Sequence, residues 1–284
     1  MSPEPTIWSS GIPAFALGCI YVLSLYVWRS DIKDRNHPNI IKRRFISAFL
    51  TTLVAPWFVY AFGHVPLLEK HGLLNVLGIR FSGFIPALII PLFLSLILFL
   101  GPFVSLVLSI QGDFVSNFLQ YLSAELRSWI WWRNHIVAPF TEEFTYRACM
   151  IPILIGYFGP KASILVSPLL FGIAHFHHMV EKINQGQDFM SAFFISGLQF
   201  SYTTVFGTFS AYLFLMTGHL VAPVVVHGFC NFMGFPDLVE FCHLEGLRRH
   251  ILLGIYVLGV ILFCSLIGPL TDTGLYENKI YSLH

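Results

Sequence analysis

The chain has 284 residues, of which 56% are hydrophobic and only 11% charged, and its mean hydropathy is +0.72. Soluble domains carry about 25% charged residues, so the composition excludes an ordinary soluble fold and points to an all-α, polytopic membrane bundle. A formal net charge of +1 offers no basic surface for nucleic acid.

A helix that crosses the hydrocarbon core needs about 20 apolar residues. The sequence suggests eight such spans, at about 11–28, 45–63, 84–110, 134–157, 162–178, 190–216, 219–234 and 250–270. The opening "MSPEPTIWSS" lacks the basic stretch of a cleavable signal, so the first run reads as a retained span. Pro91 and Pro102 predict kinks in the third span. Ahead of the fourth, "SAELRSWIWWRNH" sets Trp129, Trp131 and Trp132 among charges, the pattern of an interfacial helix. The seventh, "HLVAPVVVHGFCNFMG", is short and polar at its centre and needs other helices around it. No repeat or linker interrupts the chain, so residues 1–284 read as one integral-membrane domain. Cys19, Cys149, Cys230, Cys242 and Cys264 follow no paired spacing and read as small hydrophobes rather than a disulfide framework.

The first loop holds Arg29, Lys33, Arg35, Lys42, Arg43 and Arg44, which assigns it to the cytosol by the positive-inside rule. Alternation then puts Arg127, Arg133, Lys182, Arg248 and Arg249 on the same side, and Lys70, Arg80 and Lys161 on the other.

Polar groups inside the spans fall in three segments: Glu142, Glu143 and Arg147; then His175, His177 and His178; then His227 and Asn231. A charge at mid-bilayer costs about 2.5–3.5 kcal/mol even on lenient scales, so each needs a partner or a purpose. On a helix, Glu143 and Arg147 are i,i+4 neighbours in the favourable order and can neutralise each other. Glu142 points about 100° away, on a stripe with Tyr146 and Cys149, and has no partner in its own helix. It is the candidate reactive carboxylate. Phe171 and His175 share a face, as do His227 and Asn231, where Gly228 and Gly234 allow close helix approach.

Carboxylate, imidazole and amide faces together suit hydrolysis of an amide by activated water, with no serine or threonine nucleophile in evidence. Glu142 and His175 share the water in this reading, and His227 and Asn231 hold the oxyanion. Three rival readings stand beside it. Glu142, His175 and His227 form an ordinary catalytic zinc set, although HExxH is absent and Asn231 is left without a role. Cys149 or Cys230 offers a thiol on the same faces. A polar-centred groove also suits a non-catalytic binder of lipidated partners.

The motifs "EEFTYR", "FGIAH" and "HGFCN" fit EExxxR, FxxxH and HxxxN in order, and from about 130 to 276 the chain resembles the type II CAAX prenyl proteases. The flanking "TGHLVAPVVVHGFCNFMGFP" and "PLTDTGLY" resemble the eukaryotic branch. The resemblance implies an endopeptidase of the endoplasmic reticulum membrane with its cavity open toward the cytosol. Such an enzyme removes the last three residues of farnesylated or geranylgeranylated CaaX proteins such as small GTPases. By motif position, Glu142 and His175 activate water, His227 and Asn231 form the oxyanion hole, and Glu143, Arg147 and Phe171 support them. No metal or other cofactor is implied.

Overall fold

The computed structural model describes residues 6–30, 32, 34–109, 114–235 and 246–281, so Lys33 and Cys242 lie outside the described residues. Among those described, every regular element is helical. α1 (Ile7–Ser24) starts at Thr6, whose hydroxyl accepts from Ser9 N while Ser9 Oγ accepts from Thr6 N. These reciprocal bonds satisfy two backbone donors that a bare helix end would leave unpaired. α2 (Pro38–Phe62) begins on a proline, which lacks the N–H that the first turn cannot use and already has helical φ. Two short helices, α3 (Val65–His71) and α4 (Leu73–Val76), follow.

The predicted third span is a bent pair, α5 (Phe84–Leu98) and α6 (Leu100–Ser109), meeting at 72°. The bend falls at Phe99, and the cause lies in Pro102: its ring opposes the Leu98 carbonyl and it has no N–H to give. Pro91 lies within α5 without breaking it.

After α7 (Phe114–Glu125) comes α8 (Trp129–Trp132), capped by the Ser128 hydroxyl. This is the predicted interfacial segment, and the Lys42 ammonium lies 4.6 Å over the Trp129 ring. A π-helical turn (Arg133–Val137), α9 (Ala138–Glu143), a second π turn (Phe144–Cys149) and α10 (Met150–Ala174) then run on without a loop. α10 reverses at Gly159, whose φ of 71° and ψ of 169° lie outside the helical region. Glycine carries that conformation without a Cβ penalty, and Pro160 restarts the helix. The fold-back is secured by Ser167 Oγ, which donates to Tyr146 O at 2.6 Å, and by Tyr146 and Phe171 rings 4.9 Å apart. The spans expected at 134–157 and 162–178 are therefore two arms of one helical hairpin.

α11 (His177–Asn184), α12 (Phe189–Thr217), α13 (Val221–Met233) and α14 (Gly246–Leu270) complete the bundle, with a 3₁₀ turn at Thr273–Tyr276. By length and composition, four helical stretches among the described residues are able to cross a membrane, or five with the bent pair taken as one span, against the eight expected. One of the four is the whole Trp129–Asn184 stretch, which holds both hairpin arms. α13 has only 13 residues, and α12 is diluted by serine, threonine and glycine. Outward faces are apolar, as on α2, where Phe49, Leu53, Trp57 and Tyr60 are all exposed, which is what a lipid solvent selects.

The loops gather in two groups. Arg35 and Arg44 pair with Glu181 at 3.5 and 2.8 Å, and Arg133 Nη1 donates to Arg35 O at 3.3 Å. At the far ends of these helices, Arg80 donates to Gly218 O at 3.2 Å and to Glu277 O at 2.9 Å. Arg35, Arg44 and Arg133 thus share one end of the bundle, and Arg80 lies at the other.

Candidate active site

The two hairpin arms, α12 and α13 build the polar interior. The first arm supplies both glutamates at the end of α9, where the second π turn begins. A π turn widens the ladder to i→i+5 and is common where a helix is reshaped around a functional group. Glu143 and Arg147 nonetheless meet, with Arg147 Nε 3.2 Å from Glu143 Oε2 and both side chains fully buried. No guanidinium nitrogen of Arg147 makes a hydrogen bond of good angle, so the attraction is Coulombic. Its cation also lies 4.5 Å over the Phe171 ring.

Glu143 carries more than its expected partner. Ser210 Oγ donates to Oε2 at 2.5 Å, and His227 Nδ1 lies 2.7 Å from Oε1. A carboxylate only accepts, so His227 Nδ1 bears the proton and Nε2 is the nitrogen left for chemistry. That Nε2 lies 3.9 Å from Glu142 Oε2. Glu142 is the member of the pair that keeps some exposure, 20% of its side chain, while Glu143 has none.

His175 ends the second arm. Its Nδ1 donates to Phe171 O at 2.8 Å, which leaves Nε2 as an acceptor. Phe171 stands between the two imidazoles, its ring 4.6 Å from that of His175 and 6.4 Å from that of His227. Glu142 and His175 make no direct hydrogen bond. On α13, Asn231 is exposed and donates from Nδ2 to Asn134 O at 2.8 Å.

The structure thus joins Glu142, Glu143, Arg147, Phe171 and His227 in one set of contacts, with His175 touching it through Phe171 and Asn231 tied to the first π turn. One sequence reading is corrected. A Cβ on Gly228 would meet His135 O at 2.7 Å, which is the expected close approach, but Gly234 has nothing within 4 Å and serves only as the left-handed residue ending α13. Cys149 is closed inside the core at the end of the π turn, the buried small hydrophobe that the sequence suggested. Among the described residues, no three His, Cys, Asp or Glu side chains are grouped to share a metal ion.

Ser210 was not singled out in the sequence. Its signal is "GTFSAY", where Gly207, Ser210 and Ala211 form the small-residue face of a close helix contact. A Cβ on Gly207 would lie 2.8 Å from Arg147 Nη2, which shows how tightly that face closes on the ion pair.

The fold defines a multi-pass membrane protein with charged and imidazole side chains packed inside it. Residues 124–233 match the family described as Type II CAAX prenyl endopeptidase Rce1-like. "CAAX prenyl protease 2" of Homo sapiens is 41% identical over 287 residues, covering 98% of this chain and 86% of that protein. The Arabidopsis thaliana protein of the same name is 32% identical, covering 93% of this chain and 90% of its own length. "Probable CAAX prenyl protease 2" of Schizosaccharomyces pombe is 34% identical across 79% of this chain and 80% of its own. No solved structure matches the chain. The chain belongs to this family of membrane proteases.

Proposed function

We propose that the protein removes the C-terminal three residues from prenylated CaaX proteins, small GTPases among them, acting as one domain over residues 1–284. Glu142 and His175 activate the water. Each presents a free acceptor, Glu142 because it is not held by the Glu143 network and His175 because its Nδ1 proton is committed to Phe171 O. His227 and Asn231 hold the oxyanion. With Nδ1 donating to Glu143, a donor role at His227 Nε2 requires a second proton on the ring. Glu142, 3.9 Å away, is placed to pass on the one it takes from water.

The observation that carries this reading is the split within the carboxylate pair: Glu143 is saturated by arginine, serine and histidine, while Glu142 keeps 20% of its side chain exposed and no partner closer than 3.9 Å among the ion pairs. A prenyl chain gains about 0.8 kcal/mol per buried CH₂, so it arrives from the bilayer and meets a site framed by helices rather than by water. We place the protein in the endoplasmic reticulum membrane with the Arg29–Arg44 loop, and hence the His175 end of the hairpin, toward the cytosol. Lys182 and Arg133 support this side.

The test is cleavage of a farnesylated CaaX peptide by the purified protein in detergent. Wild type, Glu142→Ala and Cys149→Ala are compared with and without a zinc chelator. Loss of tripeptide release only in Glu142→Ala, indifferent to the chelator, is the expected result. Loss on chelation with recovery on added zinc would show that these side chains are metal ligands instead. No cleavage by wild type would favour a non-catalytic binder of lipidated partners.

A further inference from the structure

The structure gathers a second polar cluster beside the site, at the end of the bundle where His175 lies. Glu181 is held there by Arg44 Nη2 at 2.8 Å, Tyr26 Oη at 2.7 Å and His178 Nδ1 at 3.0 Å. Arg133 is spent on local acceptors: Asn134 Oδ1 at 2.9 Å, Arg35 O at 3.3 Å and Asn36 Oδ1 at 3.0 Å. Arg35 is held more loosely and is more exposed than Arg44. Its Nη1 lies 3.3 Å from His178 Nδ1 and 3.5 Å from Glu181 Oε2, Nε and Nη2 bond no described residue, and 37% of its side chain is exposed. Among the described residues, the cations Arg35, Arg44, Arg133 and Lys182 stand here with the carboxylates Asp34 and Glu181.

We propose that Arg35 receives the terminal carboxylate of the substrate, and so sets the scissile bond three residues from the chain end. The proposal rests on the function stated above. Its geometry is one of reach. Arg35 touches His178, whose ring centroid is 5.9 Å from that of His175, so the guanidinium lies at most about 10 Å from the His175 ring, which is about the length of three extended residues. A substrate with its scissile carbonyl at Glu142 and His175 therefore has its end within reach of Arg35, whose side chain is 37% exposed against 17% for Arg44 and which is not hydrogen-bonded to Glu181 as Arg44 is. An arginine fork matches a carboxylate in two parallel bonds, and Glu181, already holding three partners, competes weakly for it.

The experiment compares farnesylated peptides that differ only at the end, one a free acid and one a C-terminal amide, cleaved by wild type, Arg35→Gln and Lys161→Gln in detergent. Thermal unfolding of each variant confirms that it is folded. Wild type and Lys161→Gln are expected to favour the acid by about ten- to a hundredfold in kcat/KM, the usual worth of a hydrogen-bonded charge. In Arg35→Gln that ratio falls to near one, mainly through KM for the acid. Equal cleavage of acid and amide by wild type overturns the proposal and leaves the protease reading intact. Arg35→Gln keeping the wild-type preference overturns it equally. Cleavage of neither peptide by wild type removes the protease reading, and this inference with it.

Discussion

Replacing Glu143 by glutamine separates the two tasks assigned to that carboxylate. The substitution keeps the shape but takes from the fully buried Arg147 its contacting counter-charge, leaving only the Glu142 carboxylate beyond contact, and its three guanidinium nitrogens have no hydrogen-bond partner to fall back on. Breaking a buried pair from one side costs about 3–5 kcal/mol, because the remaining charge is still desolvated. Removing both partners, as in Glu143→Gln with Arg147→Met, leaves no orphan charge and is expected to recover most of that loss. Activity is not expected to recover with it. A glutamine side chain gives His227 Nδ1 a weaker acceptor, and the orientation of Nε2 toward Glu142 relaxes in the single and double variants alike. The assay is thermal unfolding in detergent beside peptide cleavage, where the single variant should melt lower by on the order of 10 °C. A single variant as stable as wild type, or a double variant no more stable than the single, would refute the account of the ion pair.

Glu142→Gln is expected to leave the melting temperature nearly unchanged, since nothing lies closer to it than 3.9 Å in the ion-pair geometry, while cleavage falls by about a hundredfold or more. Gly228→Ala sets a methyl 2.7 Å from the His135 carbonyl and should cost about 1–3 kcal/mol by overpacking; it also pushes α13, and with it Asn231, off Asn134 O, so kcat should fall further than stability does. Phe171→Leu removes the ring beneath the Arg147 cation and should destabilise by about 2 kcal/mol, read by the same unfolding assay. At the opposite end, burial first and then the Arg80 guanidinium push the His219 imidazole down to about 4, and its Nε2 donates to Ser82 O. The folded state thus disfavours the protonated ring, the unfolded chain binds the extra proton, and stability is lost as pH falls from about 6.5 toward 4. Melting curves across that window should slope less in His219→Gln than in wild type.

What the sequence disclosed and what it withheld divide along the range of the interaction. Glu143 with Arg147 is a local pair, fixed by i,i+4 spacing, and it survives the π turn that intervenes. That Arg35, Arg44 and Arg133 fall at one end and Arg80 at the other was legible from where the basic residues sit along the chain. The bond from His227 to Glu143 spans 84 positions and that from Ser210 spans 67, and no periodicity along one helix encodes such meetings. The π turns were hidden for another reason: reading faces from the sequence assumed 3.6 residues per turn, and nothing in the spacing of these residues signals a widened one. The bend at Phe99 was assigned to the correct span, yet of the two prolines only Pro102 produces it.

Gly159 stands 17 residues after Glu142 and 16 before His175. The reversal there makes two arms of nearly equal length, each about 25 Å at 1.5 Å per residue, and so returns the second side chain to the height of the first. The hairpin acts as a ruler whose midpoint is a single residue. A one-residue insertion in either arm would rotate its functional group by about 100° and lift it by about 1.5 Å, with no loop between the two to absorb the error. Length, rather than side-chain identity, is therefore the constraint on the 30-odd residues between them, and tolerance to insertion should drop sharply within this stretch.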